Sequence, residues 1–340
     1  PICGSNKTIK KGSRKGLKRF FCKKQRHSFS IDHRVKPIFW IPHIDGVPFR
    51  KLADQYQTSP AKVFRQVEDE MNHLPENTWL SREFCNRWSG RLVVDGKYVK
   101  VKGYDKKIPF IYGIDYLSHD IPVGVLAPSE NEWAFNKFFN LIHTIRYPLQ
   151  IVIADDISAL KPALKRIYPT VPIQLCHNHY FEILRQMLRI RTEEKYHDFF
   201  YELKGAFSPK NHYSKRQAWL TGIYYRYGKH DKMVQTILVD VQQRYDNFFA
   251  FNSQYREQCP NTANIIESFN SHLQGRLKSI KGFQSFHSAE RWLNAWMIRR
   301  RTKPFTDCEE PFKHLNGKSS LEVAMKKDVK YPEILGIKKR

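Results

Sequence analysis

The sequence predicts an α/β chain centred on a mixed five-stranded sheet, with a helical insertion late in the domain. Three features predict it. Residues 90 to 178 alternate short apolar strands with amphipathic helices. Two of those strands run into aspartate, at Asp95 and Asp155. From residue 180 onward the pattern turns helical and strongly aromatic. A chain of 340 residues has room for two or three domains. At 41% hydrophobic and 27% charged residues it should fold rather than stay disordered. The 58 Lys plus Arg against 33 Asp plus Glu leave a net charge of +25, which calls for a polyanionic partner, usually nucleic acid. No apolar run approaches the roughly 18 residues of a membrane span. The first 30 residues are basic and lack the apolar stretch of a signal peptide, so a cytosolic protein is expected. The six scattered cysteines suit reduced thiols or metal ligands better than a disulfide frame. The chain opens on Pro1 rather than Met, as a fragment or processed product would.

The elements of the middle region follow in order. Leu92 to Asp95 starts a strand that continues through Tyr98 to Val101; Ile108 to Ile114 and Ile121 to Leu126 are the second and third. Short polar turns such as Tyr104-Asp105-Lys106 join them, so the three should pair antiparallel. Glu130 to Ile145 is a helix, with Trp133, Phe135, Phe138, Phe139, Leu141 and Ile142 at helical spacing. Leu149 to Ala154 is continuously apolar, as a buried parallel strand would be. Ser158 to Ile167 reads as a helix capped by Ser158 with Pro162 in its first turn, and Val171 to Leu175 as a last strand. Three antiparallel strands, helix, strand, helix, strand is the order of the RNase H-like fold.

In such a sheet the ends of the first and fourth strands lie side by side. Asp95 and Asp155 there can hold hard divalent cations through oxygen, with Asp156 a local alternative to Asp155. A third carboxylate is offered by Glu267, on a helix running from Asn261 through Leu273 and Leu277, where Asn264, Glu267 and Asn270 recur every three residues and share roughly one face.

Asp95-Gly96, Ala154-Asp155-Asp156, Cys176-His177-Asn178-His179 and Asn264-Ile265-Ile266-Glu267-Ser268-Phe269-Asn270 together resemble the DDE transposases of the Mutator-like superfamily, its bacterial and archaeal insertion-sequence branch most of all. Cys176 and His179 match that family's C-x-x-H pair, and the Gly282-Phe283 to Ala289 stretch is also similar. Asp156 departs from the pattern, standing where relatives often have Gly. The resemblance covers residues 90 to 300. It implies that Asp95, Asp155 and Glu267 are the catalytic residues and hold two Mg²⁺ (or Mn²⁺) ions. It also implies that residues 180 to 255 are an inserted helical domain, leaving 90–179 and 256–300 as the catalytic core. Most aromatics of the insertion read as core, with a few free to stack on unpaired bases. Cys176, His179, Asn264 and Asn270 are expected to hold the edge of the site or the DNA end; two ligands alone, Cys176 and His179, do not make a zinc site.

The N-terminal residues 1 to 36 resemble a degenerate zinc ribbon. Cys3 and Cys22 are the remaining candidate zinc ligands, Gln25 stands where the second-knuckle partner of Cys22 would, with His27 near, and a basic arm of Lys7, Lys10, Lys11, Arg14, Lys15, Lys18 and Arg19 suits phosphates. Residues 37 to 80 read as helix-turn-helix: Leu52, Ala53 and Tyr56 pack the first helix, Thr58 or Ser59 caps the second, and Lys62, Arg65 and Gln66 face a major groove. Arg276 and Lys278, beyond Glu267, are expected to hold the DNA backbone, and residues 301 to 340 form a basic tail. Asn316-Gly317-Lys318-Ser319 lacks the earlier glycine of a phosphate loop and reads as an ordinary loop.

The expected function is therefore an insertion-sequence DNA transposase that cleaves and joins strands on double-stranded terminal inverted repeats and target DNA. It would act as a homodimer or larger assembly, without a membrane, in the nucleoid-associated cytoplasm of a prokaryote. The rival readings are a nuclease or resolvase of the same fold, and a domesticated DNA-binding protein with a dead core. The three carboxylates argue against the last.

Overall fold

The computed structural model describes residues 3–14, 17–31, 37–252 and 259–337. Lys15 of the expected basic arm, residues 253–255 of the expected insertion and 256–258 of the expected core lie outside them. The chain divides into two compact units, residues 1–39 and 40–340. In the first, β1 (Thr8–Arg14), β2 (Leu17–Cys22) and β3 (His27–Ile31) form an antiparallel sheet in that order, with a bulge between Lys10 and Ser13. Gly12 supplies the positive φ of 74° inside the bulge. Phe20 stacks on Phe29 across β2 and β3.

The second unit opens with four helices, α1 (Trp40–Ile44), α2 (Phe49–Gln55), α3 (Pro60–Asn72) and α4 (Asn77–Phe84). Ser59 caps α3 by accepting from the Lys62 N–H at 3.3 Å, with Pro60 at the first helical position. Leu52 and Ala53 of α2 and Val63 and Val67 of α3 are buried. Tyr56, expected among them, falls at the α2 C-cap and is exposed.

The central sheet is mixed and five-stranded. Its strands are β4 (Arg91–Val99), β5 (Ile108–Asp115), β6 (Gly124–Leu126), β7 (Ile151–Ala154) and β8 (Ile173–Leu175), in the order β6-β5-β4-β7-β8. β4, β5 and β6 pair antiparallel; β7 pairs parallel with both β4 and β8. α5 (Glu132–Thr144) and α6 (Leu160–Ile167) connect these parallel strands. β7 is buried throughout, as its unbroken apolar run requires. Phe135, Phe138, Phe139 and Ile142 of α5 are fully buried, whereas Trp133, read above as part of that stripe, is 59% exposed. Two expectations of detail fail. β6 is confined to Gly124–Leu126, since Pro122 has no N–H for a ladder. α6 starts at Leu160, so Ser158 is not its cap.

Helices follow: α7 (His177–Met187), α8 (His197–Ala206), α9 (Tyr213–Ile223) running into a π-helical turn, α10 (Lys232–Gln243) and the short α11 (Tyr245–Phe248). Phe181, Phe199, Phe200, Phe207 and Phe248 are buried among them. Then come α12 (Asn264–Ile280), α13 (Phe286–Thr302) and α14 (Ser320–Ala324). α13 lies across the sheet, with Trp296 edge-on to Phe110 and Tyr112.

The same helix also fastens the N-terminal helices. Arg291 pairs with Glu68 and donates to Asn72 (2.9 Å), Asn294 accepts from the Asn77 N–H (2.8 Å), and Arg299 grips Asp45 (2.6 Å). Arg301 is fully buried, forked onto Asp120 at 2.8 and 2.9 Å and donating to Asn77 and Ser81 of α4. Ser320 of α14 donates to the same Asp120 (3.1 Å), so the C-terminal segment packs on the core here instead of trailing from it. Asn316-Gly317-Lys318-Ser319 is a loop whose Ser319 caps α14. Among the described residues no helix is long and apolar enough to cross a membrane.

Candidate active site

Parallel pairing sets the two aspartates abreast. Val93 of β4 is in register with Ile153 of β7, so Asp95 and Asp155, each two residues further on, stand side by side where β7 has ended. Asp95 itself is not at a strand end. β4 runs past it to Val99 and pairs Asp95 with Tyr112 of β5, so the carboxylate projects from mid-strand into the gap that β7 leaves.

Each carboxylate is held differently. Asp95 Oδ1 accepts from the Gly96 N–H at 2.7 Å, and Oδ2 accepts from Asn270 Nδ2 at 2.5 Å. The Tyr112 hydroxyl donates to Asn270 Oδ1 at 3.0 Å, which fixes the amide with its NH₂ toward Asp95. Burial is the main reason the Asp95 carboxyl is pushed up to about 6, with the Asp155 charge adding to it and the two hydrogen bonds opposing. Asp155 Oδ2 lies 3.1 Å from His179 Nδ1; its carboxyl is raised as well, mainly by burial, with His179 and the Cys176 thiol opposing. Cys176 also receives the Ala263 N–H on its sulfur (3.3 Å), while Asn178 donates to Asn264 (2.6 Å) and the His177 N–H to the Asn261 carbonyl (2.9 Å). The start of α7 is thereby laced to the start of α12. Both side chains of the C-x-x-H pair meet Asp155, a role that spacing alone does not disclose.

Glu267 lies on α12 between Asn264 and Asn270, exposed, with no side-chain hydrogen bond or ion pair among the described residues. Nowhere among those residues do three His, Cys, Asp or Glu side chains stand close enough to hold a metal ion. The structure thus joins Asp95, Asp155, Asn270, Cys176 and His179, and leaves Glu267 outside their hydrogen-bond network. Asp156 is engaged elsewhere: it pairs with Arg244 at 2.6 Å.

Two further groups went unnoticed in the sequence. Glu130 precedes α5, accepts from the Tyr98 hydroxyl (2.8 Å) and adds to the upward push on Asp95. A Cβ on Gly96 would come within 2.9 Å of Glu130 Oε1, so the glycine after Asp95 makes room for that carboxylate. Glu130, expected as the first residue of the helix, lies in the turn before it, since α5 starts at Glu132. Tyr112, by contrast, could have been found by pairing β5 against β4.

The remaining predicted residues lie apart. Lys62 and Arg65 of α3 are exposed, and Arg65 Nε reaches the Ala61 carbonyl at 3.3 Å. Gln66 is half-buried and donates to Glu70 (2.8 Å), which in turn receives the Trp40 N–H (2.8 Å). Lys278 is exposed, but the Arg276 guanidinium is packed over Gly46, where a Cβ would meet it at 1.5 Å. In the first unit the Cys3 and Cys22 sulfurs are 3.6 Å apart, and the Gln25 N–H holds the Cys22 thiol below its usual value.

Residues 45–302 match a family described as "Transposase, Mutator family". The chain belongs to that family. The match takes in α2 to α4, the five-stranded sheet, the intervening helices, α12 and α13, and leaves out α1. No curated protein matches the chain. Among solved structures it is similar to "Mos1 transposase paired-end complex with left transposon end", at 14% identity over 67% of this chain and 83% of that one; the TM-score of 0.20 is too low to carry an argument about fold.

Proposed function

We propose that this Mutator-family transposase cleaves and joins DNA strands at the ends of an insertion sequence, by hydrolysis and transesterification of phosphodiesters in an RNase H-like core. The reading is carried by one observation: Asp95 of β4 and Asp155, just past the end of the parallel β7, stand abreast, and Asn270, from the helix that bears Glu267, is fixed on Asp95. The donor set of Asp95 and Asp155, with Glu267 as third member, is all carboxylate oxygen and fits Mg²⁺ or Mn²⁺. When bound, such ions neutralise the phosphodiester charge and favour deprotonation of the attacking hydroxyl. The chain's own residues preorganise the site. Asn270 and the Gly96 N–H hold Asp95 in one orientation, and Cys176 and His179 do the same for Asp155. Among the described residues the Glu267 side chain has no competing partner, which leaves it able to turn toward the pair.

Strand recognition is assigned to α2 and α3 as a helix-turn-helix, with Lys62 and Arg65 toward DNA; Gln66, committed to Glu70, would have to leave it to read a base. The first unit is read as a ribbon-like module in which Cys3 and Cys22 supply two of the four ligands a structural zinc needs.

The test is cleavage and strand transfer on the element's own terminal repeats, read from the DNA flanking its gene. Asp95→Asn, Asp155→Asn and Glu267→Gln should each abolish cleavage while electrophoretic binding persists. Wild-type cleavage by Asp155→Asn would overturn the reading.

A further inference from the structure

We infer that the groove between α7 and α10 is a pocket for one unstacked nucleobase of the DNA bound at the active site. The inference rests on the reading of Asp155 as a catalytic carboxylate.

The groove lies beside that residue, lined at this side by Asp156, Cys176 and His179. His179, which contacts Asp155, starts a line on α7 that continues one and two turns later with Ile183 and Met187. These two are apolar yet 47% and 45% exposed, an unusual outlay on a helix whose other apolar side chains are buried. Thr236, Ile237 and Asp240 of α10, and Arg244 just past its end, form the opposite wall. The cavity holds about 380 Å³, within the range of roughly 300–1,000 Å³ usual for a small organic ligand.

Its chemistry suits a neutral heterocycle. Asp156, Asp240 and Arg244 are its fixed charges, one net negative in a chain of net +25, so phosphate is disfavoured in the groove itself. The Arg244 guanidinium lies over the Tyr180 and Phe248 rings at 5.2 and 5.0 Å and presents a planar cation in the wall of the groove. Its buried Nε has no hydrogen-bond partner among the described residues. Planar guanidinium, aliphatic walls and a few polar atoms are what holds a splayed-out base. Position selects the occupant. A phosphodiester at Asp155 has its neighbouring nucleoside at the mouth of this groove, because His179 and Cys176 line the groove and also touch Asp155. Removing that base from the stack opens the backbone at the scissile bond and gives the enzyme a way to sense the cut position.

The test uses a duplex bearing the element's terminal repeat with 2-aminopurine next to the scissile phosphate. Binding of the wild type should raise its fluorescence several-fold, and the rise should be absent at positions three or more nucleotides away. Ile183→Glu and Met187→Glu change exposed side chains and should fold normally. Each should suppress the rise and slow cleavage by about tenfold, the equivalent of ~1.4 kcal/mol, near the lower end for stacking one base. An abasic site at the same position should remove the difference between variant and wild-type rates. If Asp155→Asn is inactive but the probe stays quenched with wild-type protein, the pocket is refuted and the active-site reading stands. If Asp155→Asn still cleaves, that reading falls first. If Ile183→Glu alters the oligomeric state by light scattering and leaves the probe signal intact, the groove is a subunit contact and the base pocket is refuted.

Discussion

Replacing Asp95 by Asn should make the metal-free protein relatively more stable as pH rises. The carboxyl goes from 3.8 to about 6 on folding, so the folded chain keeps a proton that the unfolded chain has already released between those values. Wild-type stability therefore falls as pH rises through that window, and the loss is complete above about pH 6. At ~1.36 kcal/mol per pH unit the full effect is about 3 kcal/mol, and about 2 kcal/mol between pH 4 and pH 7 once the partial exposure of Asp95 is discounted. Asn removes this titration. It also has a single acceptor oxygen, so either the Gly96 N–H or Asn270 Nδ2 loses its partner, a pH-independent cost of about 1–2 kcal/mol. The variant should thus be less stable than wild type at pH 4 and close to it at pH 7. For a chain of this size about 2 kcal/mol corresponds to a Tm swing on the order of 3 °C. His43, His119 and His177, all pushed down to about 4 by burial, titrate in both proteins and cancel in the difference. The assay is thermal unfolding by circular dichroism in EDTA from pH 4 to 7.5. A Tm difference flat across that range would refute the reasoning. Adding Mg²⁺ at pH 7 should raise the Tm of wild type and leave the variant unmoved.

Asp156→Asn should keep cleavage and lower stability by less than about 1 kcal/mol, because its partner Arg244 remains paired with Asp240; measuring rates alongside Asp155→Asn separates the two neighbours. Arg301→Met should destabilise by about 3–5 kcal/mol in denaturant unfolding, since Asp120 would be left charged and fully buried, while the double change with Asp120→Asn should recover part of the loss. DNA binding should weaken steeply with salt, and Lys278→Ala should flatten the log–log slope by about one; Arg276→Ala should change it less, since its guanidinium packs on Gly46.

The sheet was readable because its apolar runs are uninterrupted and its turns polar. Val93 and Ile153 mark where the two aspartates had to meet once β4 and β7 were paired. Strand and cap limits were less legible: Ser158 looks like a cap, but the chain after Asp155 needs four residues before α6 can start. Trp133 and Tyr56 fit helical stripes by spacing and lie outside them, since periodicity does not say how wide the buried face is. The partners of the site were the least legible. That Asn270 serves Asp95, that Cys176 and His179 serve Asp155, and that Glu130 stands by Gly96 are contacts between segments far apart in the chain, and no local pattern encodes them.

The clamps along α13 have a consequence for DNA geometry. Arg291 on Glu68, Asn294 on Asn77 and Arg299 on Asp45 join α1, α3 and α4 to a helix that also packs on the sheet through Trp296. If α3 grips DNA, the grip and the cut are tied to one helix within one compact unit. Such an arrangement acts as a ruler. Inserting half a helical turn, about 5 bp, between the recognised sequence and the cleavage point would carry the scissile phosphate to the far side of the duplex, and a full turn of about 10 bp would restore its facing but not its distance. An element mobilised by this protein would therefore hold that spacing far more strictly than the bases that fill it.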